Sequence, residues 1–168
     1  MVQNKKQIIH HAVFALVFIL LIFGDRITKN FAITSLRPDD ITIIPGVFTL
    51  HYLENPGAAW GIFPNAIWFF AIITIVVLGA MIYFYSRIPV QKKFLLLRFT
   101  IILLAAGAIG NFIDRMMWHY VVDFLYIKAI NFPVFNVADC YVCVAAVLLI
   151  YCLLFRYKEE DFLWKKKN

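Results

Sequence analysis

VADCYVCVAAVLLIYCLLFRY, residues 137–157, runs for 21 positions with two charges, Asp139 near its start and Arg156 near its end. A bilayer core needs about 20 apolar residues per helix, so this stretch reads as a membrane span. Pro133 stops any helix before it. Asn136 then stands at the N-cap and Asp139 three residues further on, the spacing of a capping box.

Working outward, three more apolar runs qualify as spans, at roughly 9–30, 66–86 and 94–113. The first has a basic head, Lys5 and Lys6, and an apolar middle from Ala12 to Gly24, like a secretory signal. Phe23-Gly24-Asp25 offers no small-x-small cleavage site, so it reads as a retained helix. Composition agrees: 63% of the 168 residues are hydrophobic and 15% charged, against about half and about a quarter in a soluble domain. Mean hydropathy is +0.81. The expectation is an all-α integral membrane protein, residues 1–168 forming a single membrane domain with four transmembrane helices.

Net charge is +6, but the basic residues cluster at the ends of apolar runs. That pattern speaks of topology and anionic lipid, not nucleic acid. Of the 16 Lys and Arg, 11 lie in the N-terminal segment, the second-to-third connection (Arg87, Lys92, Lys93, Arg98) and the C-terminal tail, 158–168, with Arg156 just before it. Both termini are therefore expected in the cytoplasm. The outer face then carries a long loop, 31–65, and a shorter one, 114–136. In the long loop Phe48, Leu50 and Tyr52 alternate with Thr49 and His51, between Pro45-Gly46 and Asn55-Pro56-Gly57. Val47–Glu54 thus reads as a half-buried strand in a small surface sheet, with an ordered loop and no sheet as the alternative.

Of the ten acids, Glu159, Glu160 and Asp161 lie in the tail and seven on the outer side. Asp39 and Asp40 follow Pro38 in a solvated loop, and Glu54 ends the strand. Asp25, Asp114, Asp123 and Asp139 sit at or near span ends, where a carboxylate is costly unless paired or functional. Asp25 has Lys29 at i+4. Asp114 has Arg115 beside it, although adjacent helix residues do not face each other. Asp123 and Asp139 have no nearby cation, and 15 residues separate them. Two such carboxylates meeting in a dry site share a proton, so one can activate water while the other protonates a leaving amine. Capping alone is the other reading of Asp139.

Other chemistry has little support. There is no H-E-x-x-H and no G-x-S-x-G, and the four histidines are scattered. No metal or cofactor is expected. Cys140, Cys143 and Cys152 share one apolar run and read as packing residues. Ala105, Ala106, Gly107, Ala108 and Gly110 suggest close helix contact, with room for a substrate as the alternative. A proton-coupled membrane transporter is the rival function, because intramembrane acids also mark proton paths.

Five segments together resemble the bacterial lipoprotein signal peptidases, signal peptidase II. They are Asp25-Arg26-Ile27-Thr28-Lys29, Asn55-Pro56-Gly57-Ala58-Ala59-Trp60-Gly61, Gly110-Asn111-Phe112-Ile113-Asp114-Arg115, Val121-Val122-Asp123-Phe124 and Phe135-Asn136-Val137-Ala138-Asp139. The resemblance implies an inner-membrane aspartyl endopeptidase, sensitive to globomycin and expected to act as a monomer. It would cut prolipoproteins just before a diacylglyceryl cysteine. It implies Asp123 and Asp139 as catalytic residues. Asp25, Lys29, Asn55, Gly57, Asn111, Asp114, Arg115 and Asn136 would be substrate-binding or supporting groups. It also implies a β-sheet cradle and a short surface helix between the third and fourth spans. On this reading Asp25 and Lys29 tie the first helix to the loops, and Val47–Glu54 grips extended substrate by strand addition.

Overall fold

The computed structural model describes residues 2–57, 63–64, 66–158 and 160–161. Ala58-Ala59-Trp60-Gly61 of the second motif, and most of the C-terminal tail, lie outside the described residues.

Four helices are long and apolar enough to cross a membrane. They are α1 (Val2–Phe31), continued by a π-helical turn at Ala32–Leu36; α2 (Ile67–Arg87); α3 (Leu95–Trp118); and α4 (Val137–Tyr151), continued at Cys152–Arg156. The expected spans all appear, but α1 and α3 overrun theirs. For α3 the excess is Asp114–Trp118, a turn that opens on the charged pair Asp114-Arg115, where the apolar run ends. His119, in the left-handed region at φ +66°, ends α3 and returns its N–H to the Arg115 carbonyl, a common way to close a helix and redirect the chain.

α3 is the hub. Its buried face carries Leu97, Leu103, Ala106, Gly107 and Gly110, while α2 buries only Ala71 along its length. Ala106, Gly107 and Gly110 serve packing, as the first reading has it, while Ala105 lines an open cleft between α1, α2 and α3. A Cβ on Gly107 would stand 2.5 Å from the Ala138 carbonyl oxygen and 2.8 Å from Val142 Cγ2, and one on Gly110 would stand 2.6 Å from Asp25 Oδ2. Gly107→Ala is therefore expected to destabilise by about 1–3 kcal/mol through overpacking. Gly79→Ala, on open α2 with nothing within 4 Å of its would-be Cβ, is the control. Thermal unfolding in detergent compares them, and equal midpoints would contradict the close α3–α4 contact.

The sheet contains β1 (Ile41–Ile44), β2 (Phe48–Asn55) and β3 (Val121–Ile127), antiparallel in the order β1-β2-β3. β2 matches the expected strand to within one residue. Three expectations change. The strand read at Val47–Glu54 is the middle one: β3 pairs it through Asn55 but β1 pairs only Phe48–Leu50, so the edge open to an added strand is confined to His51–Asn55. The 114–136 segment is not a loop but the last turn of α3 followed by β3. The implied short surface helix is present there as one exposed 3₁₀ turn, Lys128–Ile130. Arg98, counted among the loop cations, is 1% exposed within α3.

Candidate active site

The pairing of β2 with β3 sets the first half of the site. Asn55 lies opposite Val121, so its side chain shares a face with Asp123 two residues along. The Asn55 amide donates to Asp123 Oδ2 at 2.9 Å, and its own oxygen accepts the Gly57 N–H at 3.0 Å. β3 is anchored to α3 by the Val122 N–H, which donates to Asp114 Oδ2 at 3.2 Å.

The start of α4 sets the second half. Asn136 and Asp139 form the capping box read from their spacing: the Asp139 N–H donates to Asn136 Oδ1, and the Asn136 N–H to Asp139 Oδ2, both at 3.0 Å. The same Asn136 reaches across with Nδ2, donating to Asp123 Oδ1 at 2.7 Å and to Asn111 Oδ1 at 3.0 Å. Asn111 in turn donates to Asp139 Oδ1 at 2.7 Å. Each of the four carboxylate oxygens of Asp123 and Asp139 thus accepts one N–H, and Asn136 touches both residues. Among the described residues no cation forms an ion pair with either.

Beneath the pair lies a buried charge cluster. Lys29 Nζ sits 3.1 Å from Asp25, 2.8 Å from Asp114 and 2.8 Å from Asn111 Oδ1. Arg26 also pairs with Asp114 and stacks over Trp118. Asp25 Oδ1 accepts the Ala138 N–H at 3.1 Å. Asp25 and Lys29 therefore tie α1 to α3 and α4, rather than to the loops. Lys29 also fixes the Asn111 amide: with the oxygen held by an ammonium, the NH₂ group must face Asp139. Arg115 turns away from Asp114, donates to the Gly57 carbonyl at 3.1 Å and lies over Phe70 of α2.

All ten candidate residues fall in this one connected network. Arg26 is an addition to them; its signal is the i+3 relation to Lys29 on one helix face. A cavity of about 340 Å³ opens on Asn55, Asn111, Arg115, Asp123 and Asp139. Its apolar walls include Cys140 and Cys143, which are free thiols, partly buried and exposed respectively. The reading of all three cysteines as packing residues fits Cys152, which is buried, better than these two.

Asp123 is 2% exposed. Burial, then the neighbouring charge of Asp139, pushes its carboxyl up to about 7, against the opposing pull of the Asn55 and Asn136 hydrogen bonds. Such a group holds a proton near neutrality and can give it up.

The family model described as signal peptidase (SPase) II matches residues 17–155. A lipoprotein signal peptidase of Streptococcus pyogenes serotype M5 (strain Manfredo) is 39% identical over 153 residues, covering 89% of this chain and 95% of its own length; one of serotype M18 (strain MGAS8232) matches to the same extent. A solved bacterial membrane enzyme, determined in meso at 2.3 Å, superposes with a TM-score of 0.76 at 34% identity, over 94% of this chain and 93% of its own. A second, at 1.9 Å, gives 0.75 at 34% identity over 87% and 95%.

Proposed function

Because the chain belongs to the signal peptidase II family, we propose that it removes the signal peptide from diacylglyceryl-modified prolipoproteins, cutting just before the lipidated cysteine. The observation that carries the mechanism is the pair of carboxylates held by four N–H donors at the edge of an apolar cavity. Asp139 takes a proton from water as the oxygen attacks the scissile carbonyl. Asp123 gives its proton to the departing amine of the lipidated cysteine as the C–N bond breaks. Proton exchange with the product acid and solvent then resets the pair. Arg115 and Asn55 stand at the cavity rim as donors for the substrate backbone, and the bilayer itself solvates the lipid tails.

The chain is a multi-pass membrane protein. The Lys and Arg bias supports cytoplasmic termini in a bacterial inner membrane, with the aspartates at the outer face. One chain supplies every residue of the network, so a monomer suffices. Nothing in the family or the geometry favours the transporter.

Two measurements test this reading. Purified protein should cleave a precursor whose cysteine carries diacylglycerol, leaving that cysteine as the new N-terminus by mass spectrometry. Failure to process it sinks the assignment of substrate. The pH dependence tests the dyad. Below about 7 Asp123 keeps its proton; above it Asp123 ionises and the general acid is gone. The alkaline limb of kcat/KM should therefore fall around that value, as a property of the pair. Asn55→Ala removes a donor that favours ionised Asp123, so its limb should move to higher pH. A limb that stays put or moves lower contradicts Asp123 as the acid.

A further inference from the structure

The cavity in front of the aspartates carries two groups that the proposed chemistry does not use. Cys140 and Cys143 stand three residues apart near the start of α4 and so share one face of that helix. Both line the cavity of about 340 Å³, together with Asp123, Asp139 and the 132–134 segment. Both are free thiols: Cys140 is partly exposed and Cys143 exposed, whereas Cys152, further along the chain, is 0% exposed. They lie roughly one and two turns inside the fourth span.

An internal disulfide does not fit this geometry. Cβ atoms three apart on a helix are about 5–6 Å from each other, and a disulfide needs about 3.5–4.5 Å. The pair therefore stays as two thiols while α4 is intact. A metal does not fit either: among the described residues no group of three or more His, Cys, Asp or Glu could hold one. Addition to an external electrophile does fit. Cysteine sulfur is the strongest nucleophile in the cavity. The space around it is largely apolar and falls in the ~300–1,000 Å³ range that buries most of a small ligand. An uncharged apolar reagent reaches it through the bilayer, where each added methylene raises the local concentration about fourfold. The polar lining, Asn55, Asn111 and Arg115, admits the water that carries the thiol proton away.

We propose that Cys140 and Cys143 form a covalent modification site for apolar Michael acceptors, with N-alkyl maleimides as the simplest probes. The sulfur forms a C–S bond to one alkene carbon, a proton replaces the one lost from the thiol on the other carbon, and nothing leaves. The adduct then fills the cavity in front of the aspartates and shuts substrate out. The blocking step rests on the peptidase reading above; the modification site does not.

The test treats the full chain in proteoliposomes with N-ethylmaleimide or N-octylmaleimide. Adducts are located by mass spectrometry, and processing of a lipid-modified precursor is timed before and after treatment. Cys140 and Cys143 should be modified and Cys152 spared until the chain is unfolded. The octyl reagent should react at least about tenfold faster than the ethyl one, through its higher concentration in the bilayer. Processing should fall in step with the fraction of chains modified. The double variant Cys140→Ala, Cys143→Ala should take up no reagent while folded and process at the same rate before and after treatment. Modification of Cys152 as fast as the wall thiols overturns the site. So does faster reaction of the ethyl reagent, an absence of adducts, or an adduct that unfolds the chain by circular dichroism. If the untreated chain processes precursor and the fully modified chain does so equally well, the proposal fails and the peptidase reading stands. If the untreated chain processes none, the peptidase reading fails, and the labelling pattern alone decides the modification site.

Discussion

Asp123→Asn and Asp139→Asn are each expected to lower processing of a lipid-modified precursor by at least about 10²–10⁴-fold, the usual worth of general acid–base catalysis. The fold should survive. Asparagine keeps the size of aspartate and still accepts through its remaining oxygen, so Asn136, Asn55 and Asn111 lose only part of their bonding. On the proposed mechanism the two variants fail for different reasons. At position 123 the amide cannot hand a proton to the leaving amine. At position 139 it cannot take one from water. Because the residues act as a unit, the double variant should be little worse than either single one. Single-turnover cleavage measures all three. Near wild-type rate in either single variant removes the dyad from the mechanism. Cys140→Ala, on the wall of the same cavity, should stay active and guards against a mere effect of cavity shape.

The second large effect concerns stability. Asp114 is fully buried and accepts from Lys29, from Arg26 and from the Val122 N–H. Asp114→Ala leaves two cations sharing Asp25 and a backbone N–H without its acceptor. Breaking a buried pair from one side costs about 3–5 kcal/mol. Asp114→Asn, which still accepts hydrogen bonds, should cost clearly less. Activity should fall with Asp114→Ala as well, since Val122 precedes Asp123 and the strand loses its anchor. Unfolding midpoints of both variants, read beside processing rates at low temperature, separate the two effects. A loss of under about 1 kcal/mol for Asp114→Ala would mean the cluster is not load-sharing in the way its geometry indicates.

How much of this was legible in the sequence depends on the range of the contacts. The spans were, because about 20 apolar residues in a row have few other readings. β2 was, because Phe48, Leu50 and Tyr52 alternate with polar residues. β3 was not: Val121–Phe124 is buried at every position, so no alternation betrays it. β1 fails in the opposite way, with all four residues exposed. The capping box at Asn136 is local and could be read directly. The bonds from Lys29 to Asn111 and from Ala138 to Asp25 join residues 82 and 113 positions apart, and no local pattern encodes them. Arg98 is ambiguous for a related reason: its charge suggests a loop, while its position four residues inside Phe94-Leu95-Leu96-Leu97-Arg98-Phe99 places it in the helix.

The bond from the Ala138 N–H to Asp25 joins the first helix to the last. Its consequence is one of timing. During synthesis the first three spans can enter the bilayer while Asp139 is still to be made. Until the final helix arrives, Asp25 lacks one partner, Asn111 has no carboxylate to orient, and Asp123 lacks the amide of Asn136. On the proposed mechanism the nascent enzyme is therefore inert for almost the whole of its translation, and hydrolytic competence arrives with the span that carries Asp139.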